Sequence, residues 1–375
     1  MTAKNNDATA VTNHASLNLA ELAKLIGDWG HALGFDHVGI SDTDLTQHER
    51  HLEKWVEQGF HGKMEYMVKH GTKRTRPHEL VEGTVRVISV RMDYAPEDIA
   101  AAELVLEKPQ TGYISRYALG RDYHKVLRSK LQQLAKQIER EVGDFGYRVF
   151  TDSAPVMEKA IAEKAGLGWI GKHSNLIDSK TGSWFFLGEI YTDLPLPTSQ
   201  AATNHCGTCS ACIDACPTGA IVGPYQVDAR LCISYLTIEL HDAIPEALRP
   251  LIGNRIYGCD DCQLVCPWNK FAQTSKESDF TPRAHLVDQD LVDLLAWSES
   301  HFLQATEGTA IRRIGYERWQ RNVCVALGNA LRDQSLTSQA KSTILKALHA
   351  REAHSTPLVK EHIQWAIKQS EATCD

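Results

Sequence analysis

Two closely spaced cysteine runs constrain this 375-residue chain more than any other feature. The first, HCGTCSACIDACPTGA, sets Cys206, Cys209, Cys212 and Cys216 in the order C-x2-C-x2-C-x3-C-P. In that spacing three close cysteines take three corners of one [4Fe–4S] cubane, and the fourth, before the proline, turns away to the other cluster. The second run, GCDDCQLVCPWN, has Cys259, Cys262 and Cys266 before Pro267 and is one cysteine short, and Cys232 is the available substitute. The ligand count then closes, with one cluster on Cys206, Cys209, Cys212 and Cys266 and the other on Cys216, Cys232, Cys259 and Cys262. Zinc is the competing reading, but zinc sites favour paired CxxC units over a triple run ending in CP. Disulfides compete less well, because the polar start MTAKNNDATAVTNHAS lacks the charged-then-apolar order of a secretory signal. A cytosolic chain keeps its thiols reduced. Of the two remaining cysteines, Cys324 is expected to be a plain buried thiol and Cys374 to lie in the frayed terminus.

The rest of the chain falls into segments. Residues 1–16 read as a disordered tail. Over 17–33, Leu22, Ile26, Trp29 and Leu33 recur at helical steps. Strand candidates follow at 35–41, 85–90, 147–151 and 183–191, with a helical stretch at 124–142. Helices alternating with strands over 17–196 predict a three-layer α/β or α+β domain. Residues 197–284 are rich in Cys, Pro and turn residues and need metal to hold them; the cysteine order makes this a ferredoxin-like two-cluster domain. From 285 to 375 the chain is helical again. Trp319, Val323, Leu327 and Leu331 mark one face; Ile344, Leu345 and Leu348 lie on a second helix, and Val359, Ile363 and Ile367 on a third. This predicts a small HEAT-like stack. No apolar run reaches the ~18 residues needed to span a bilayer. A net charge of −7 rules out a uniformly basic surface but permits a local one.

Three motifs precede the cysteines: HGTKRTRP (70–77), YISRYALGRDYHKVLRSKL (113–131) and TDSAPVMEKAIAEKAGLGWIGKHSNLI (151–177). Read alone they say little. Asp152 ends a strand before Ser-Ala-Pro, so either it or Ser153 caps the next helix, or its carboxyl group sits at a strand end where ligand sites form. Gly166, Gly168 and Gly171 let backbone approach a flat cofactor closely, or they serve only a helix C-cap and turn. Arg74 and Arg76 read equally as a solvated loop.

Together with the cysteine spacing and ERWQRNVCVALGN (317–329), these motifs resemble epoxyqueuosine reductase, a cobalamin-dependent family that acts on tRNA. The resemblance runs from about residue 20 to 370. It implies a nitroreductase-like cobalamin-binding domain ahead of the cluster domain, so the chain is expected to be α+β overall. It implies Asp152 as proton donor, and Arg74, Ser115, Gly171, Ser174 and Asn175 as cofactor contacts, with Tyr113, Arg116 and Tyr117 beside cofactor or substrate. His173 suggests a cobalt ligand, yet the chain has no DxHxxG sequence, and FDHVG (35–39) is no match; the cobalt is expected to lack a lower histidine. For the acid role the Asp152 pKa is expected to rise through burial. Between 307 and 332 five arginines stand against two glutamates. Arg312, Arg313, Arg318 and Arg321 are therefore expected to track the phosphates of a tRNA anticodon stem-loop. Electrons are expected from an external donor, the chain to be a monomer, and its place the cytoplasm.

Other readings remain at this point. A reductive dehalogenase also joins two cubanes to a corrinoid, but it typically carries a twin-arginine signal and has no role for the C-terminal helices. An electron carrier with a docking module would not bind cobalamin. A non-catalytic RNA-binding protein leaves eight cysteines without a purpose.

Overall fold

The computed structural model describes residues 18–95 and 99–371; the expected tail and Cys374 lie outside the described residues. A four-stranded sheet organises the first half. Its strands β1 (His37–Ser41), β2 (Arg86–Asp93), β3 (Tyr147–Phe150) and β4 (Phe185–Thr192) lie in the order β1-β2-β4-β3. Every neighbouring pair is antiparallel, which makes the unit α+β rather than parallel α/β. Ser89 of β2 and Phe150 of β3 both pair with Glu189 at the middle of the central strand.

Helices cover both faces of this sheet, so β2 and β4 are buried along almost their whole length and read as apolar runs. On one face lie α1 (Leu19–Ala32) and α2 (Tyr123–Val142). Their Leu22, Ile26, Leu127, Leu131 and Leu134 pack on Ile88, Val90 and Ile190. Asn18 caps α1 by accepting from the Ala20 and Glu21 N–H groups, and Asp122 caps α2 by accepting from His124 N–H. On the other face α3 (Glu158–Lys164) lays Ala160 and Ile161 on Val87, Phe150 and Tyr191. The expected helices and strands are present and differ only at their ends.

The cysteine segment has only short elements, among them a two-stranded ribbon, Ile221–Gly223 with Gln226–Val227. It is tied to the first domain by a parallel pair, Arg255–Tyr257 beside Tyr113–Ile114. Its apolar core does not end at residue 285. Ile233, Leu236, Ile252 and Tyr257 share one cluster with Trp319, Val323, Leu327, Ile344, Leu348 and Ile363.

The C-terminal stack consists of α4 (Gly315–Arg332), α5 (Ser338–Glu352) and α6 (Pro357–Lys368). Thr337 and Thr356 cap the last two, and Pro357 occupies the first turn of α6. Gly328 permits the contact of α4 with α6: a Cβ there would meet Trp365 at 2.4 Å and the Ala366 Cα at 2.9 Å. Cys324 is fully buried in this core. No described helix is long and apolar enough to cross a membrane.

Candidate active site and iron–sulfur centre

All nine described cysteines are free thiols. Neighbouring thiols act on one another both within the expected sets and, from Cys212 to Cys262, across them. Cys212 feels Cys266, Cys206 and Cys209, and Cys266 in turn feels Cys206 and Cys209. Cys232 feels Cys216, Cys262 feels Cys232, and Cys259 feels Cys262. Burial, then the neighbouring thiols, push Cys212 up to about 11. Four such groups crowded together resist ionisation unless a cation compensates them, which fits iron ligation. Among the described residues no three ligand side chains close around a single-ion point; a four-iron cubane holds its thiolates farther apart than one zinc does.

The two cysteine sets are fastened to different parts of the first domain. Lys172, in the turn after Trp169–Ile170, donates to the carbonyls of Gly207 at 2.7 Å and Cys209 at 2.8 Å. Trp169 packs with Cys266 and Cys206. At the other set, Asp260 lies between Cys259 and Cys262 and is 1% exposed. It accepts from Tyr113 Oη at 2.8 Å, Ser115 Oγ at 2.5 Å and Arg116 N–H at 2.8 Å. The Ser115 hydroxyl is thus joined to the loop that carries the second cluster.

A cluster of hydrogen-bonded titratable side chains lies just beyond the C-terminal end of β3. Asp152 sits there in the left-handed region, φ +52, a conformation that costs about 1–3 kcal/mol for a non-glycine residue and marks functional loops. Its Oδ2 accepts from Tyr123 Oη at 2.5 Å and from His124 Nε2 at 3.2 Å. The His124 Nδ1 faces Asp122 Oδ1 at 2.7 Å, so one imidazole bridges two carboxylates. Tyr123 is held by stacking on Phe186, with ring centres 4.1 Å apart.

The electrostatics correct the expectation for Asp152. Its side chain is 51% exposed, yet the protein crowding the carboxyl group still favours the neutral form. The hydrogen bonds from His124 and Tyr123, with the positive charges of His124 and Arg313, outweigh that and lower the pKa to about 2. Burial likewise opposes charge on His124, but the bonds to Asp122 and Asp152 raise it to about 9. The resting proton therefore belongs to the imidazole, and Asp152 is ionised. Two more carboxyl groups lie close by. Glu158 accepts from the Asp152 backbone N–H, and burial plus the Asp152 charge push it up to about 7. Glu189 is 0% exposed with neither oxygen hydrogen-bonded; burial, then Glu158 and Asp152, push it well above the carboxylate range.

Several buried polar atoms of the first domain have no partner. They include Arg74 Nε, Ser89 Oγ, Glu189, Tyr191 Oη and His173 Nε2. Orphaned donors and acceptors inside a protein imply a polar ligand that satisfies them. A macrocycle rimmed with amide groups, each offering both a donor and an acceptor, fits that set. Arg74 is buried; its Nη2 donates to the Tyr66 carbonyl at 3.1 Å, and Nη1 points to that of Val156 at 3.4 Å. The turn 171–175 is closed by Ser174 N–H to the Gly171 carbonyl and by Gly171 N–H to the Asn175 carbonyl, both 2.8 Å. Lys159 Nζ grips it through the Ser174 carbonyl at 3.0 Å and Asn175 Oδ1 at 3.2 Å. His173 Nδ1 accepts from Asn175 N–H at 3.1 Å, which leaves the proton on Nε2. Burial, then Lys159, lower its pKa to about 4, so the ring is a neutral donor rather than a lone-pair ligand. The Gly168 φ of +152 serves packing: a Cβ would meet the Ile177 carbonyl at 2.4 Å.

The four arginines expected on RNA do not share one surface. Arg321 is a correction: it is 0% exposed, and its Nη atoms donate to the carbonyls of Leu236, Leu240 and Asp242, each at 2.7 Å. No hydrogen-bonding capacity of those nitrogens is left for a phosphate, and burial lowers its pKa to about 9. Arg318 is half-buried and donates to the carbonyls of Ile314 at 2.6 Å and Ile238 at 2.8 Å. Arg313 pairs with Glu239 and is close enough to help hold Asp152 ionised. Arg312 is exposed.

Tyr123, His124, Glu158, Glu189 and Glu239 were not singled out by sequence. The DYH triplet that caps and opens α2 and the lone charge inside FFLGEIYT were the available signals.

Known proteins resemble this arrangement. The family described as epoxyqueuosine reductase QueG, DUF1730, matches residues 74–153, and the 4Fe-4S double cluster binding domain matches 205–269. The epoxyqueuosine reductase of Pseudomonas aeruginosa is 58% identical over 351 residues, covering 93% of this chain and 95% of that protein. That of Escherichia coli is 56% identical over 353 residues, covering 94% and 90%. The epoxyqueuosine reductase structure from Streptococcus thermophilus superposes with a TM-score of 0.81 at 28% identity, over 94% of this chain and 91% of that one. An epoxyqueuosine reductase bound to an epoxyqueuosine-modified tRNA-Tyr stem loop gives 0.77 at 25% identity, over 94% and 100%. A Bacillus subtilis structure, also at 0.77 and 25% and with the same coverage, is described with its catalytic aspartate loop swung out of the active site.

Proposed function

The chain belongs to the epoxyqueuosine reductase family, and from that premise we propose that it reduces epoxyqueuosine to queuosine at the wobble position of tRNA, the last step of queuosine biosynthesis. Two [4Fe–4S] clusters on the eight cysteines would supply electrons from an external donor, and cobalamin would be the group that they reduce. The observation that carries the mechanism is the bond network Asp122–His124–Asp152–Tyr123 at a strained residue.

Removing the epoxide oxygen as water consumes two electrons and two protons and leaves an alkene. When bound, cobalamin supplies a strongly reducing cobalt centre beside the epoxide. Arg74, Ser115, Gly171, Ser174 and Asn175 would hold it, with the His173 Nε2–H as a further donor to one of its acceptors. Asp152 gives a proton to the opening oxygen as a general acid. Ionised at rest, it first takes the proton of His124, whose Nε2 lies 3.2 Å from its Oδ2, and the second proton that leaves with the oxygen comes from solvent. Entry of substrate and cofactor removes water from around Asp152, which raises the Asp152 pKa and lets the proton cross from the imidazole. Tyr123 fixes the acceptor oxygen, and Glu158 holds the Asp152 backbone. A soluble cytoplasmic location and a monomeric state are part of the same proposal, since the substrate is a cytoplasmic RNA.

The test is incubation of anaerobically reconstituted protein with cobalamin, a reductant and epoxyqueuosine-containing tRNA. Mass measurement of the digested nucleoside should show loss of one oxygen. An unchanged mass with both clusters and cobalamin loaded refutes the assignment.

A further inference from the structure

The two cysteine runs repeat one pattern, and laying one on the other isolates a single charge. Cys209-x2-Cys212-x3-Cys216-Pro217 matches Cys259-x2-Cys262-x3-Cys266-Pro267. Each run holds a short helix, Ala211–Asp214 in the first and Asp261–Leu264 in the second. The residue ahead of that helix is Ser210 in one run and Asp260 in the other, and neither side chain caps the helix it precedes. Ser210 is exposed, and its hydroxyl donates to Asp214 Oδ2 at 2.6 Å. Asp260 is buried and turns to the first domain instead.

The approach is built into the backbone. Ser115 N–H donates to the Tyr257 carbonyl at 2.8 Å. Gly258 stands at φ +69, and a Cβ there would meet that of Ser115 at 2.7 Å. The Asp260 carboxyl group then accepts from Tyr113 Oη, Ser115 Oγ and the Arg116 N–H, and Tyr113 and Ser115 are themselves buried. Burial raises the Asp260 pKa, and the three bonds work against that rise by favouring the charged form. The other charges at this run are matched elsewhere. Arg255 donates to both oxygens of Asp261. The Arg116 guanidinium lies 4.5 Å from the centre of the Tyr113 ring and donates to the Ile114 carbonyl, so Asp260 bonds its backbone and not its charge. At the first run the fixed charge has the opposite sign, since Lys172 donates to the carbonyls of Gly207 and Cys209.

We propose that Asp260 sets the two clusters apart in reduction potential: its carboxylate, next to Cys259 and two residues from Cys262, lowers the potential of the cluster on Cys216, Cys232, Cys259 and Cys262. An electron added beside a buried negative charge meets a repulsion that water does not screen. Net charge and burial are among the settings by which a protein tunes such a cluster. The more strongly reducing cluster is then the one whose loop is bonded to Ser115, on the side of the proposed cofactor contacts. Asp260 touches no reacting atom and is a positioning residue that acts through the cluster. The inference rests on the proposed cysteine sets and is independent of the substrate.

The experiment is a redox titration of protein reconstituted with both clusters, followed by electron paramagnetic resonance, on wild type, Asp260→Asn, Tyr113→Phe and Cys232→Ala. Wild type should show two waves, and Cys232→Ala should lack the lower one. D260N should raise the lower wave by about 59 mV or more, an about tenfold shift of a one-electron equilibrium, and leave the upper wave in place. Y113F removes one donor and keeps the charge, so the lower wave should fall. Two clusters at one potential in wild type overturn the proposal. So does a lower wave that stays in place in D260N, moves together with the upper one, or survives in Cys232→Ala. A rise in both D260N and Y113F also overturns it, because loosened packing and not a lost charge then moves the wave. If D260N loads one cluster only, Y113F decides: a fall supports the proposal and any other result overturns it. Conversion of epoxyqueuosine tRNA is scored separately, so failure of the activity is told apart from failure of the tuning.

Discussion

Replacing His124 by glutamine removes a proton store while leaving the helix cap and the core intact. The imidazole is 27% exposed and its pKa stands at about 9, against 6.5 for a free histidine. Burial opposes that rise, and the bonds to Asp122 and Asp152 more than reverse it. A group whose native pKa is raised adds stability that is complete below the unfolded value and disappears as pH climbs through the folded one. Linkage across that interval gives about 3 kcal/mol at pH 6, about 2.5 kcal/mol at pH 7 and under about 0.5 kcal/mol at pH 9. Anaerobic denaturant midpoints of wild type and His124→Gln, compared from pH 6 to about pH 9.5, should therefore converge as pH rises. Turnover should decline in wild type as pH passes about 9. In the variant it should be lower by about a hundredfold or more below pH 9, the usual contribution of a positioned proton donor, with the gap narrowing above it. A stability gap that does not change with pH would refute the charged His124, and with it the recharging of Asp152.

Three further outcomes follow from the packing and the ligands. Arg321→Met strands three buried carbonyls, each costing about 1–3 kcal/mol; the melting temperature should fall while the salt dependence of stem-loop binding keeps its slope, whereas a phosphate contact would show the opposite pattern. Cys232→Ala should halve the iron and labile sulfide and keep the electron paramagnetic resonance signal of the other cluster; full iron content would remove Cys232 from the ligand set. Gly328→Ala forces a methyl group against Trp365 and should cost roughly 1–3 kcal/mol, read as a lower melting temperature.

The two-cluster domain was legible because ligation is encoded in local spacing, whereas Cys232 enters as the eighth ligand by count alone. The buried strands were legible because helices on both faces leave them continuous apolar runs. Strand order was not, since antiparallel pairing of β4 between β2 and β3 depends on contacts far apart in sequence. Asp152 was located by motif, but its charge state was misjudged. The two groups that hold it ionised, Tyr123 and His124, lie 28–29 residues earlier, at the start of α2. Arg321 was misread for the converse reason. A count of charges along a helix is blind to which face is buried, and Arg321 and Asn322 turn towards carbonyls of a turn 79–85 residues away. Glu189 was hidden by its setting, one acid inside an otherwise apolar strand.

The central claim is that Asp152 delivers the proton that lets the epoxide oxygen leave. Its most direct test is a single-turnover reaction of the Asp152→Asn protein, loaded with both clusters and cobalamin, on epoxyqueuosine tRNA. The variant should match wild type in iron content and in cobalamin absorption and yet leave the nucleoside mass unchanged. Loss of one oxygen at the wild-type rate would contradict the account.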